Sequence, residues 1–168
     1  NAYGSLNGRL ELNTHFNKKI TDKWSSSLFL HGNTRITKND MNNDGFLDNP
    51  LGKQINVLNR WQYTNSEKGW ISFINFRYMN DKKQTGQLEF VPNRDRFTTN
   101  FWGSEINTER IDVSTKLGYV FPDMPFQSIG FQNAFNSHDQ ESYFGLSRYN
   151  IKQKSYYSNL IFNSIIDN

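Results

Sequence analysis

The chain of 168 residues contains no cysteine, which excludes a disulfide framework and any metal site built from thiolates. It also lacks a continuous apolar run of about 20 residues, the length that a membrane-spanning helix needs. The net charge is only +3, and lysine and arginine are spread along the chain without a basic block. A protein that binds along the phosphate backbone of a nucleic acid needs such a block, so nucleic acid is excluded as a partner.

Patterns that indicate catalysis are also missing. The three histidines, His15, His31 and His138, share no metal-binding spacing. No glycine-rich phosphate loop follows a strand, and no nucleophile elbow is present. The sequence therefore predicts that the protein is not an enzyme.

What the sequence does contain is alternation of apolar and polar residues, the period of a β-strand with one apolar face. In the first such stretch, Leu10, Leu12 and Phe16 fall on one face, and Arg9 and Glu11 fall on the other. Stretches of this kind predict about seven strands. They cover residues 6–16, 24–37, 54–63, 70–81, 111–121, 126–135 and 149–166.

The connections between these stretches alternate in length along the chain. The short ones are residues 17–23, 64–69 and 122–125, and aromatic residues flank them. The long polar ones are residues 38–53, 82–110 and 136–148. Alternating short turns and long loops, with aromatics near the short turns, are typical of outer-membrane β-barrels. The predicted fold is all-β, an antiparallel transmembrane β-barrel segment of about seven strands.

Two other interpretations stay open. A soluble Ca²⁺-binding β-sandwich with a carbohydrate- or protein-binding role also has alternating strands, and it predicts that the leucine-rich faces are buried against a second sheet. A passive porin or a barrel-anchored enzyme shares the barrel wall but has no need of a plug.

An odd number of strands cannot form the even-stranded barrel that is usual for a single bacterial chain. An open wall would also leave backbone groups unpaired in lipid, where each of them must be satisfied. We therefore expect residues 1–168 to be part of one larger outer-membrane β-barrel domain, with the remaining strands and any plug domain outside this chain.

Four segments resemble the barrel of TonB-dependent outer-membrane receptors: residues 40–50, 53–63, 118–122 and 157–161. The most specific parts are Asn-Asp-Gly-Phe at 43–46 and Asn-Arg-Trp at 59–61. The resemblance implies a barrel of about 22 strands closed by an N-terminal plug, located in the outer membrane of a Gram-negative bacterium. The sequence is most similar to receptors for cobalamin, with ferric siderophore and haem receptors close behind.

The same resemblance implies a function and a set of partners. Receptors of this family bind a scarce small-molecule nutrient outside the cell and move it into the periplasm by active transport. The implied partners are a TonB-type energy transducer acting through the absent plug, outer-membrane lipid and a surface lipoprotein.

One loop has the oxygen-rich spacing of an EF-hand-like calcium site. Asp40, Asn42, Asp44 and Asp48 stand at positions 1, 3, 5 and 9 of that pattern, and Phe46 supplies its carbonyl at position 7. Position 12, where the pattern has a glutamate, is a leucine in this chain. The loop therefore predicts a weak Ca²⁺ site, and the alternative is a solvated turn without metal.

The residues predicted to contact the transported ligand lie in the loop 82–110. Aromatic rings cover apolar ligand surface, while arginine and asparagine fix polar groups. The candidate residues are Phe90, Arg94, Arg96, Asn100, Phe101 and Trp102. The alternative is that these aromatics form the loop's own small core.

A set of charged residues is predicted to share the polar, lumen-side face of the wall. Its members are Arg9, Glu11, His15, Arg35, Arg60, Arg77, Asp112 and Lys116. A weaker group of candidate ligand contacts is predicted in the loop 136–148, at His138, Asp139, Gln140, Glu141 and Tyr143.

Overall fold

The computed structural model of the chain describes residues 1–165 and is almost entirely β-structure. Its strands are β1 Ala2–Gly4, β2 Arg9–Lys19, β3 Trp24–Arg35, β4 Leu51–Asn65, β5 Trp70–Gly86, β6 Gly103–Phe121, β7 Met124–Phe144, β8 Ser147–Arg148 and β9 Ile151–Asn163. One short helix, α1 Pro92–Asp95, interrupts the connection between β5 and β6. Within the described residues, no helix is long and apolar enough to cross a membrane.

All nine strands belong to one antiparallel sheet. Strands β1 to β7 lie side by side in chain order, and both β8 and β9 pair with β7. The sheet is open: among residues 1–165, β9 does not pair with β1 or β2. The prediction of an all-β, antiparallel fold is confirmed, and the seven predicted strands correspond to the seven long ones.

The strands are longer than the alternation predicted. Residues 82–86 belong to β5 and residues 103–110 belong to β6, although both were expected in a loop. The prediction of a long loop over 136–148 is wrong: β7 continues to Phe144, so His138 to Tyr143 lie on a strand. Above the apolar part of the sheet both faces are polar, so the pairing continues after the alternation has ended. The predicted last strand is β9, and position 166 lies outside the described residues.

The ladder register separates the side chains into two faces. Val113 lies between Phe76 and Phe135, and Leu30 lies between Thr14 and Val57. We call this side the apolar face. Its apolar members are Leu10, Leu12, Phe16, Trp24, Leu28, Leu30, Ile55, Val57, Trp61, Tyr63, Trp70, Ile74, Phe76, Tyr78, Ile111, Val113, Leu117, Tyr119, Phe121, Ile129, Phe131, Phe135, Tyr156, Leu160 and Phe162.

Within residues 1–165, no other helix or strand packs over these apolar side chains. Leu10 is 61% exposed, Phe76 46% and Leu160 66%, although a soluble sheet buries such residues. The buried apolar residues of the described chain, Leu47, Phe90 and Tyr143, lie instead at the long-loop end. The second sheet expected for a sandwich is therefore not part of the described structure.

The apolar residues form a band that crosses the strands obliquely. In β2 the band runs from Leu10 down to Phe16, and in β9 it runs from Tyr156 down to Phe162. The cross-strand partners nevertheless lead from Phe16, through one residue on each intervening strand, to Tyr156, so these two residues lie at the same level of the sheet. The bottom of the band on β2 is thus level with its top on β9, a shift of about one residue for each strand crossed.

Candidate functional site

The two long loops, 36–50 and 87–102, are docked on each other beside the long-loop end of the sheet. Leu47 donates its N–H to the carbonyl of Gly86 at 2.9 Å, and Leu88 donates to the carbonyl of Gly45 at 2.8 Å. Phe46 forms an isolated β-bridge with Gln87. The predicted calcium loop and the predicted ligand loop therefore form one continuous surface.

The predicted calcium loop is closed by hydrogen bonds from its own backbone. The Asp40 carboxylate accepts the N–H of Asp44 at 3.1 Å and that of Gly45 at 2.9 Å, while Asp44 accepts the N–H of Phe46 at 2.8 Å. Gly45 has φ +82°, a conformation that glycine adopts without strain. These contacts make a turn that holds its shape through backbone donors.

The remaining members of the calcium pattern also have partners in the protein. Asp48 accepts the N–H of Met41 at 2.8 Å, and Asn42 donates its side-chain amide to Asp44 at 2.9 Å. Across residues 1–165, no group of three or more acidic or histidine side chains is arranged to hold a metal ion. Calcium binding at Asp40, Asn42, Asp44, Phe46 and Asp48 stays a prediction.

The predicted ligand loop has a small core of its own. Phe90 is 2% exposed, and its ring lies against the backbone of Gly103 at the start of β6. Asp95, at the end of α1, is 1% exposed and accepts the N–H of Val91 at 2.8 Å. Arg94 donates to both oxygens of Asp95, at 2.8 and 2.9 Å, and its guanidinium lies 5.4 Å from the Phe101 ring centroid.

Five of the six candidate ligand residues thus divide into two groups. Phe90, Arg94 and Phe101 hold the loop together, as the core interpretation proposed. Asn100 is exposed, and Trp102 is 46% exposed, with its ring 6.3 Å from that of Phe46. Ligand contact by these residues stays a prediction, and their geometry favours Asn100 and Trp102 for that role.

The sixth candidate, Arg96, belongs to a cluster that the sequence did not indicate as a unit. Arg96 donates to Glu105 at 3.1 Å and stacks on the Tyr143 ring at 4.8 Å, while the Tyr143 hydroxyl donates to Glu105 at 2.7 Å. Arg148 stacks on Phe97 at 5.1 Å. Together they line a cavity of about 320 Å³. Burial raises the pKa of Tyr143 to about 12, so its hydroxyl is a hydrogen-bond donor at neutral pH.

The register places this cluster on the side of the sheet that carries the apolar face. Tyr143 and Glu105 are cross-strand partners, and they share that face with Phe135 and Val113 further down the same strands. The loop 87–102 therefore folds over the extension of the apolar face above the band. The sequence missed this arrangement because strand positions and loop positions meet only through the three-dimensional register.

The polar face carries a cross-strand network of hydrogen bonds. His31 contacts Asn13 at 2.6 Å and Gln54 at 3.2 Å, and Arg77 donates to Asn56 at 3.1 Å. The charged residues predicted to share one face do so: Arg9, Glu11, His15, Arg35, Arg60, Arg77, Asp112 and Lys116.

An apolar patch interrupts this polar face. The rings of His15 and Phe29 stack with centroids 6.1 Å apart, and Leu58 is the cross-strand partner of Phe29. These residues line a cavity of about 510 Å³ together with His31 and Arg77. The sequence already indicated an apolar residue on this polar face, because Phe29 is the main exception to the alternation in its strand.

Acid should open the loop 87–102 only below the ordinary aspartate range. The hydrogen bonds from Arg94, opposed by burial, lower the pKa of Asp95 from 3.8. A lowered folded-state pKa stabilises the closed loop fully above that range, and the stabilisation is lost as pH falls through the lowered pKa. We expect the protection of the Val91 amide, measured relative to its intrinsic exchange rate at each pH, to be lost only there, and Asp95→Asn to be less protected at every pH above it. Opening at or above pH 4 would contradict this assignment.

No protein-family profile, curated protein or solved structure matches this chain.

Proposed function

We propose that this sheet is part of the wall of an outer-membrane β-barrel, with its apolar face toward lipid and its polar face toward the lumen. The observation that carries the proposal is the uncovered band of predominantly apolar side chains across all seven long strands. A soluble protein covers such a band, whereas lipid is its natural solvent.

The inclination of the band supports this placement. A shift of about one residue per strand is about 3.4 Å along the strands for every 4.8 Å across them. The strands are then inclined by about 35° to the normal of the band, within the range of transmembrane barrel strands. Soluble sheets have no reason to keep a straight oblique boundary between apolar and polar side chains.

The height of the band supports it as well. On β6 the band extends from Ile111 to Phe121, about 34 Å along the strand. At an inclination of about 35° this gives a height of about 28 Å, close to the apolar band of about 25 Å in outer-membrane barrels. The short turns then face the periplasm, and the docked loops 36–50 and 87–102 face the outside.

Within this class, the chain is best interpreted as a wall segment of a TonB-dependent receptor. That step depends on the resemblance at residues 40–50 and 53–63 and on the two open edges of the sheet, which need further strands in the hydrocarbon region. The proposed activity is active transport of cobalamin, or of a ferric siderophore or haem, into the periplasm. The energy transducer acts through a plug, and the docked outer loops take part in ligand capture.

Fractionation and uptake measurements test this proposal. The protein should be recovered from outer membranes only with detergent, and it should migrate faster on a gel before boiling than after. Cells without it should lose uptake of one ligand among cobalamin, ferric siderophores and haem. That uptake should stop when the proton gradient across the inner membrane is dissipated.

The other interpretations predict different results. Uptake that continues without the proton gradient would indicate a porin. A protein that stays monodisperse without detergent would contradict the barrel wall and favour a soluble sandwich whose second layer covers the apolar face.

A further inference from the structure

Two lysines face each other on the apolar side of the sheet, just above the apolar band. Lys53 on β4 and Lys82 on β5 are direct cross-strand partners. Lys53 precedes Ile55, the top of the band on its strand, by two residues, so it lies one position above Ile55 on that face. Like charges directly opposite each other destabilise an antiparallel pair, so this position calls for a compensating anion.

The described structure does not provide that anion. Over residues 1–165, no carboxylate lies within ion-pair distance of the Lys53 or Lys82 ammonium group. Glu105 lines the same cavity, but its carboxylate already accepts hydrogen bonds from Tyr143 and Arg96. The neighbouring Lys83 lies on the opposite face, where it pairs with Asp81 at 2.8 Å.

The surroundings of the pair are amphipathic. The two lysines line an open cavity of about 350 Å³, together with Thr34, Ile36 and Leu51. Arg35 and Lys83 also line this cavity, from strand positions on the opposite face, so Lys53 and Lys82 are the two of its four cationic side chains that lie on the side of the apolar band. Lysine acts as a point charge for phosphate, and its methylene stem can lie along apolar surface below.

We propose that Lys53 and Lys82 bind the phosphate of a phosphorylated lipid in the outer leaflet. This inference rests on the proposed function, because only in a barrel wall does the upper edge of the band coincide with lipid headgroups. Placement on the lipid-facing side favours a lipid over a solute in the lumen. A bound phosphate would convert an unfavourable pair of like charges into a binding site.

The test uses the full-length protein purified from outer membranes in a neutral detergent. Binding of phosphorylated lipid A and of its dephosphorylated form is measured by native mass spectrometry. The variant Lys53→Gln/Lys82→Gln is compared with Lys23→Gln/Lys68→Gln, which removes the same charge from the short turns at the other end.

We expect the Lys53/Lys82 variant to bind the phosphorylated lipid about 30-fold more weakly. Each lysine near an anionic lipid surface raises the affinity about fivefold, and the two factors multiply. The control variant should bind like the parent, and the dephosphorylated lipid should bind weakly to all three. Without lipid, the Lys53/Lys82 variant should be at least as resistant to heat as the parent, because the repulsion is gone.

Three results would overturn the inference: equal affinity of the parent and the Lys53/Lys82 variant, equal binding of the two lipids, or full displacement by inorganic phosphate, which would identify a site for a free anion. Each leaves the barrel wall intact. Failure of the proposed function is a separate result, because the protein would then have no heat-modifiable form in the outer-membrane fraction.

Discussion

Replacing Leu28 by arginine should destabilise the protein by about 2–4 kcal/mol, the cost of an arginine near the midplane of a barrel wall. Leu28 lies on the apolar face near the centre of the band, between Phe16 and Asn59 on the neighbouring strands. In lipid the charged group has no solvent at that depth. The free energy of unfolding in phospholipid vesicles, from denaturant titration, measures the effect.

The matched control is the preceding residue. Ser27 lies on the polar face between Asn17 and Arg60, so Ser27→Arg places the same side chain on the opposite side of the same strand. We expect this variant to lose less than about 1 kcal/mol, the range for a like charge placed directly opposite Arg60 across the strands. Equal losses for the two variants would contradict the assignment of the faces to lipid and lumen.

Most of the sheet could be predicted from the sequence because the responsible signal is local. Alternation within a strand such as β4 assigns Ile55 and Val57 to one face without knowledge of any neighbour, and the register then aligns these faces. The ends of the strands could not be predicted in this way. At Glu105, Asn107 and Glu109 the side chains on the side of the apolar band are polar, so pairing continues where alternation carries no information.

The site was predictable only in part, for a related reason. The composition of the loop 82–110 indicated a cluster of aromatic and basic side chains, but not which of them pack inside. Phe90 and Arg94 are used by the loop itself, and Arg96 meets Tyr143 from a strand that the sequence assigned to a loop. Contacts between residues so distant in the chain depend on register, which alternation does not specify.

Replacing Phe90 by alanine should open the loop 87–102 locally at a cost of about 3–5 kcal/mol, the usual range for a buried phenylalanine. Phe90 is 2% exposed, whereas the sheet below it is held by its own hydrogen-bonded ladders. Amide exchange should therefore rise across the loop and not in β5 or β6 within the band. Phe97→Ala is the control, because Phe97 lies in the same loop and is 36% exposed.

Gly103 provides a second test of the same contact, because a Cβ there would lie 2.3 Å from the nearest carbon of the Phe90 ring. Gly103→Ala should therefore open the loop when Phe90 is present. In the Phe90→Ala background the new methyl group enters vacated space, so adding Gly103→Ala should cost little further stability. Such non-additivity is expected only for residues in contact. Additive losses would mean that Phe90 does not pack over Gly103, and that the loop closes by another route.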